Sequence, residues 1–171
     1  RVIPNRGSWL DFEYDVKDFL YFKIDRKKKI LASTLLLALG YSKSEVVNEF
    51  YESEKYTFDT KSEKWKTKFN PENYKAKNFS EEVIDAKTGK IVIQLGEKIN
   101  FLNAKKLYDN GLKDILISKE SLFGKFLHKE IKLNEEKENT FGIGTELNDT
   151  IIDKILEAGV NSLHISITNS I

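Results

Sequence analysis

Trp9, set behind Gly7-Ser8, and the run Asp25-Arg26-Lys27-Lys28-Lys29 are the side chains of this sequence best suited to act on a partner. An exposed indole stacks on any nucleobase, and clustered cations neutralise a phosphate backbone, so together they suit single-stranded nucleic acid. Each feature also has a plainer reading. Trp9 could simply pack on the strand it heads, and a charge run is often a solvated face. Asp11, Glu13 and Asp15 could be taken for a cation site, since a spacing of two puts three carboxylates on one strand face. One strand rarely encloses an ion, and no His or Asn lies nearby, so they read as a solvated or interface face. His128 and His164 have no evident partner. The sequence holds no Ser-His-Asp order or P-loop, and Gly142-Ile143-Gly144 lacks the third glycine of a dinucleotide motif.

The elements that must carry these groups are legible. Leu10, Phe12, Tyr14 and Val16 alternate with Asp11, Glu13, Asp15 and Lys17, and Leu20, Phe22 and Ile24 repeat the pattern. Period-2 alternation predicts two strands, each with one buried face, joined by a tight loop at Lys17-Asp18. Trp9 is expected at one end of this hairpin and the cations at the other. Leu31 to Leu39 reads as a helix closed by Gly40. Ser42 and Glu45 form a capping box for a second helix whose Val46, Val47, Phe50 and Tyr51 share a face. That helix is acidic, with Glu45, Glu49 and Glu52, so core packing is expected rather than reading of a DNA groove.

Further on, Tyr56 to Phe58 and Trp65 to Phe69 predict a second hairpin around Thr60-Lys61-Ser62, and Asn70 to Asn78 reads as loop. Ala86 to Gly89 predicts a turn before a strand over Lys90 to Leu95. A repeat of period 48 follows. Leu95-Gly96 and Ile99-Asn100 align with Ile143-Gly144 and Leu147-Asn148, and Gly111 aligns with Gly159. Each copy reads as strand, Gly turn, Asn N-cap, helix, Gly C′ and strand, and the two copies are expected to pair as a pseudo-symmetric module.

Composition narrows the function classes. The chain has 171 residues, 40% hydrophobic and 32% charged, which suits a packed α+β protein. A net charge of +1 excludes a general DNA-coating role and confines any nucleic-acid contact to a local patch. With no cysteine there is no thiolate chemistry. No apolar run approaches the roughly 20 residues of a membrane span. No methionine is present and Arg1-Val2-Ile3-Pro4 starts on strand-like residues, so a piece of a longer, cytoplasmic polypeptide is expected.

The stretch RVIPNRGSWLDFEYD followed by IDRKKK resembles the lobe of the β subunit of bacterial DNA-directed RNA polymerase. The resemblance is dense over residues 1 to about 50 and continues as islands, among them Asp85 to Lys90. It implies residues 1–48 in the lobe and residues 49–168 as a lobe insertion, with repeat halves at about 91–118 and 139–166. It implies that Trp9 stacks on the unwound non-template strand and that Asp25, Arg26 and Lys27 contact DNA. Two arginines of the family's run are lysines here, which keeps charge but loses the bidentate fork. Leu31 stands where the family has proline. The implied partners are the β′, α, ω and σ subunits, promoter and downstream DNA, and transcription factors docking on the insertion, in a nucleoid-associated enzyme. No cofactor is implied in this stretch, the parent enzyme's magnesium being held by another subunit, and the stretch alone is expected to be catalytically inactive. Two rival readings are a free-standing single-strand nucleic-acid-binding domain and a pure protein-interaction module.

Overall fold

The computed structural model describes residues 1–16, 19–74, 77–79, 81–133 and 140–167. It is α+β, and it divides into two compact units, Arg1–Phe50 and Tyr51–Ile171. The expected loop at Lys17-Asp18, and residues 139 and 168 at the edges of the expected repeat and insertion, lie outside the described residues.

In the first unit, β1 (Leu10–Tyr14) and β2 (Leu20–Ile24) pair antiparallel with Leu10 opposite Ile24 and Phe12 opposite Phe22. A third strand that the sequence reading missed, β3 (Lys29–Leu31), continues the sheet on β2. Leu31 therefore ends a strand instead of opening a helix, and α1 spans Ala32–Ala38. Its end is closed as expected by the Gly40 N–H donating to Leu37 O and the Tyr41 N–H to Leu36 O. The capping box also forms at α2 (Lys43–Phe50): the Glu45 N–H donates to Ser42 Oγ at 3.3 Å and the Ser42 N–H to Glu45 Oε2 at 2.8 Å.

The expected burial of this unit does not follow. Phe22 and Ala32 are buried, whereas Phe12, Tyr14 and Val16 are exposed. On α2, Val46 and Val47 are half-buried and Phe50 is exposed, so the apolar helix face is not packed into a core. The physical reason is size: fifty residues in three short strands and two short helices enclose too little volume to bury every apolar face they carry.

The second unit is built on a sheet whose strands lie in the order Ser162–Ser166, Ser53–Asp59, Lys64–Lys68, Asp114–Ile117, Val83–Asp85 and Ile91–Ile93. Its centre is the expected hairpin of β4 (Ser53–Asp59) and β5 (Lys64–Lys68). The segment expected to be loop holds a 3-10 turn at Pro71–Asn73, whose first turn is capped by Asn70 Oδ1 accepting from the Glu72 N–H at 3.1 Å, and then β6 (Lys77–Asn78). Beyond it come β7 (Val83–Asp85), β8 (Ile91–Ile93), β9 (Lys98–Ile99), α3 (Phe101–Asp109) and β10 (Asp114–Ile117). The chain continues through β11 (Ile131–Lys132), β12 (Thr140–Phe141), α4 (Asp149–Glu157) and β13 (Ser162–Ser166). Trp65, Phe69, Ile93, Leu127, Ile152 and Leu163 are among the buried side chains of one continuous core.

The 48-residue period recurs as structure. Asn100 and Asn148 each cap a nine-residue helix by accepting an N–H three residues on, from Asn103 at 2.9 Å and from Ile151 at 3.0 Å. Gly111 and Gly159 follow those helices at φ +106° and +77°, a backbone region that only glycine enters at no steric cost. The correspondence reaches further upstream than the sequence alignment. The Gly96 N–H donates to Phe79 O at 2.9 Å, and the Gly144 N–H donates to Leu127 O at 2.8 Å. Val83 opposes Ile93 across β7 and β8, and Ile131 opposes Phe141 across β11 and β12. Among the described residues, however, the strands of the two copies do not pair with each other. β10 lies along β5 and β13 along β4, so the β4–β5 hairpin separates them. The exposed N–H and C=O edges of that hairpin offer each copy's last strand a partner, which the two strands would otherwise need to find in each other.

Candidate nucleic-acid interface

An antiparallel hairpin brings its first and last residues together, and the Leu10–Ile24 register sets Trp9 beside Asp25. This corrects the expectation that the aromatic and the cations occupy opposite ends. The Trp9 N–H donates to Asp25 Oδ1 at 2.9 Å, and the Asp25 N–H donates to Trp9 O at 3.0 Å. Asp25 and Arg26 have φ of +48° and +58°, and the Lys27 N–H donates to Ile24 O at 3.0 Å. Positive φ at both central residues is the pattern of a primed hairpin turn, which aspartate tolerates and arginine enters at a cost of roughly 1–2 kcal/mol. The turn thus holds Arg26 outward, its side chain 71% exposed.

The four residues expected to contact DNA, Trp9, Asp25, Arg26 and Lys27, therefore lie at one end of the sheet. Trp9 is 42% exposed, so more than half of it is covered, and the Arg1 guanidinium sits 5.3 Å from its ring centroid. Arg1 is a group the sequence reading missed. The period-2 spacing of Trp9 and Asp11 was the available signal, because Arg1 also pairs with Asp11.

The basic run is not one uniform patch. Arg26 Nε is 4.0 Å from Asp11 Oδ2. Lys29, placed in β3, has its Nζ 3.7 Å from Glu13 Oε1 and 4.2 Å from the Tyr21 ring centroid. Lys27 and Lys28 are exposed and form no salt bridge among the described residues. The carboxylates on this face are neutralised locally. The Arg1 hydrogen bond holds Asp11 below its ordinary range, and the Lys23 hydrogen bond does the same for Glu13. Asp25 is lowered by hydrogen bonds from the Ser8 side chain and the Trp9 amide. Asp15 turns away to a different task, its Oδ1 accepting from the Phe19 N–H at 3.0 Å. Among the described residues, no group of three or more His, Cys, Asp and Glu could hold a metal ion.

In the second unit, an open groove of about 1180 Å³ is lined by Lys55, Lys66 and Lys68 but equally by Glu52, Glu54 and Asp114. Its mixed charge gives no net attraction for a polyanion. His128 does have a partner, contrary to expectation: its Nδ1 is 3.0 Å from Ser166 Oγ, and its backbone N–H donates to His164 O at 2.8 Å. With His128 at 4% and Ser166 at 9% exposure, the pair is buried. Burial lowers the pKa of both His128 and His164. No helix among the described residues is long and apolar enough to cross a membrane.

Comparison with known proteins extends the likeness past the first fifty residues. The family model for RNA polymerase Rpb2, domain 2, matches residues 2–165, through both units. A DNA-directed RNA polymerase subunit beta from Orientia tsutsugamushi (strain Boryong) is 52% identical over 126 residues, 73% of this chain and 9% of the relative. Those of Rickettsia prowazekii (strain Madrid E) and Rickettsia felis (strain ATCC VR-1525 / URRWXCal2) are each 37% identical over 169 residues, 99% of this chain and 12% of the relative. The chain spans about a tenth of the length of these curated relatives. The match over nearly all its residues shows that the chain belongs to the RNA polymerase Rpb2, domain 2, family, alongside bacterial β subunits.

Proposed function

We propose that this chain is part of the lobe of a bacterial RNA polymerase β subunit and lines the DNA cleft of an enzyme that makes RNA on a DNA template. In this reading Trp9 stacks on an unwound non-template base while Arg26 and Lys27, with Lys28 beside them, neutralise the adjoining phosphates. The observation that carries it is the pairing of the part-exposed Trp9, whose main chain donates to the Asp25 carboxylate and accepts from the Asp25 N–H, with the turn that presents the cations. Stacking is worth roughly 1–3 kcal/mol per base and is tolerant of base identity, which suits a surface that meets every promoter. One tryptophan and a few cations hold DNA only as part of a larger cleft, so the chain alone binds oligonucleotides weakly and catalyses nothing. The assembly partners are the β′, α, ω and σ subunits, and residues 49–168, which take in most of the second unit, are a peripheral module on which transcription factors dock.

A photocrosslinking amino acid at position 9 of the assembled polymerase tests this. Crosslinks to the non-template strand in promoter complexes are the expected result. Crosslinks confined to protein, with none to DNA, would overturn the cleft reading and favour a role in packing.

A further inference from the structure

We infer that Asp25 is a positioning residue for Trp9 and does not itself contact nucleic acid. The inference rests on the base-stacking reading of Trp9 for its effect on promoters, but its structural half stands without it. The Asp25 carboxylate accepts from the Trp9 N–H at 2.9 Å and from the Ser8 side chain, and the Asp25 N–H returns a bond to Trp9 O at 3.0 Å. Two donors of its own chain thus take up about half of the acceptor capacity of the group that would have to meet DNA. An anion beside phosphates would also oppose binding, whereas an anion that clamps the start of β1 to the β2–β3 turn fixes the indole against the cations. Asp25 adopts a left-handed φ of +48°, and aspartate and asparagine are among the non-glycine residues that enter this region most readily.

Only two tryptophans are present, and Trp65 is fully buried, so acrylamide quenching of the chain reports Trp9. Asp25→Ala should raise the quenching constant about twofold and lower the emission anisotropy. Asp25→Asn, which keeps an oxygen acceptor, should restore both. Asp15→Ala is the control: it removes a carboxylate that accepts from the Phe19 N–H within the same hairpin, and should leave Trp9 unchanged. Unchanged quenching in Asp25→Ala, or an equal rise in Asp15→Ala, overturns the inference whatever DNA does. In assembled polymerase, promoter-complex lifetimes of Trp9→Ala, Asp25→Ala and the double variant form a cycle. The double variant should match Trp9→Ala within about twofold. Multiplying losses would show that Asp25 contacts DNA on its own account and would overturn the inference. A Trp9→Ala enzyme with unaltered lifetime would instead remove the base-stacking reading, and the quenching measurements would still decide the positioning.

Discussion

Replacing each tryptophan by alanine should separate a residue that holds the fold from one that acts on a partner. Trp65 is fully buried on β5, its ring 5.3 Å from that of Phe58 across the β4–β5 pair. Truncating a buried aromatic to alanine costs about 3–5 kcal/mol, because lost burial and the residual cavity add. Trp9 is 42% exposed, and part of its cover is the flexible Arg1 side chain, so the same change should cost about 1–2 kcal/mol. This exceeds the figure of under about 1 kcal/mol that a fully outward indole would imply. Each variant keeps one tryptophan as a reporter. In a urea titration the Trp65 signal of Trp9→Ala should keep its midpoint, because the two residues lie in different compact units. The Trp9 signal of Trp65→Ala should likewise persist while far-UV circular dichroism shows the second unit melting early. In the assembled enzyme, loss of a stack worth roughly 1–3 kcal/mol should shorten promoter-complex lifetime about 5- to 150-fold for Trp9→Ala. A chain that unfolds on losing Trp9, beside a polymerase with unchanged promoter kinetics, would refute the reasoning and make Trp9 a core residue.

The units should also differ in their response to acid. Asp11, Glu13, Asp25 and Glu45 of the first unit all titrate below their ordinary values of 3.8 and 4.5, so their contribution is present at neutral pH and is lost only as pH falls below about 4. His128 and His164 of the second unit are held neutral below the ordinary 6.5, so that unit should begin to lose stability as pH drops under 6.5; melts at pH 7, 5.5 and 4 distinguish the two. Gly159→Ala and Gly111→Ala should each cost roughly 1 kcal/mol or more from backbone strain alone, since a Cβ at either site meets nothing within 4 Å; a cost at only one, measured by denaturant unfolding, would break the equivalence of the two copies. Replacing residues 49–168 by a short linker should leave a polymerase that assembles and transcribes, and failure to assemble would show that the second unit is not peripheral.

Several devices that sit within a few residues were legible in the sequence. The Ser42–Glu45 box, the Asn100 and Asn148 caps, the glycines after α3 and α4 and the β4–β5 hairpin are set by side-chain chemistry and local sterics, and each formed where its residues predicted. The four residues Trp9, Asp25, Arg26 and Lys27 were likewise marked by type. What tertiary structure alone decided was which groups meet. Backbone hydrogen bonds carry no side-chain signature, so β3, the Gly96–Phe79 and Gly144–Leu127 bonds and the insertion of β4–β5 between β10 and β13 left no mark on the pattern. Burial is a property of the whole unit as well. Alternation showed that Phe12 and Tyr14 share a face, but only the volume enclosed by the first unit determined that this face stays uncovered. Trp9 joined the cations for the same kind of reason: strand pairing, which acts across sixteen residues, placed it against Asp25.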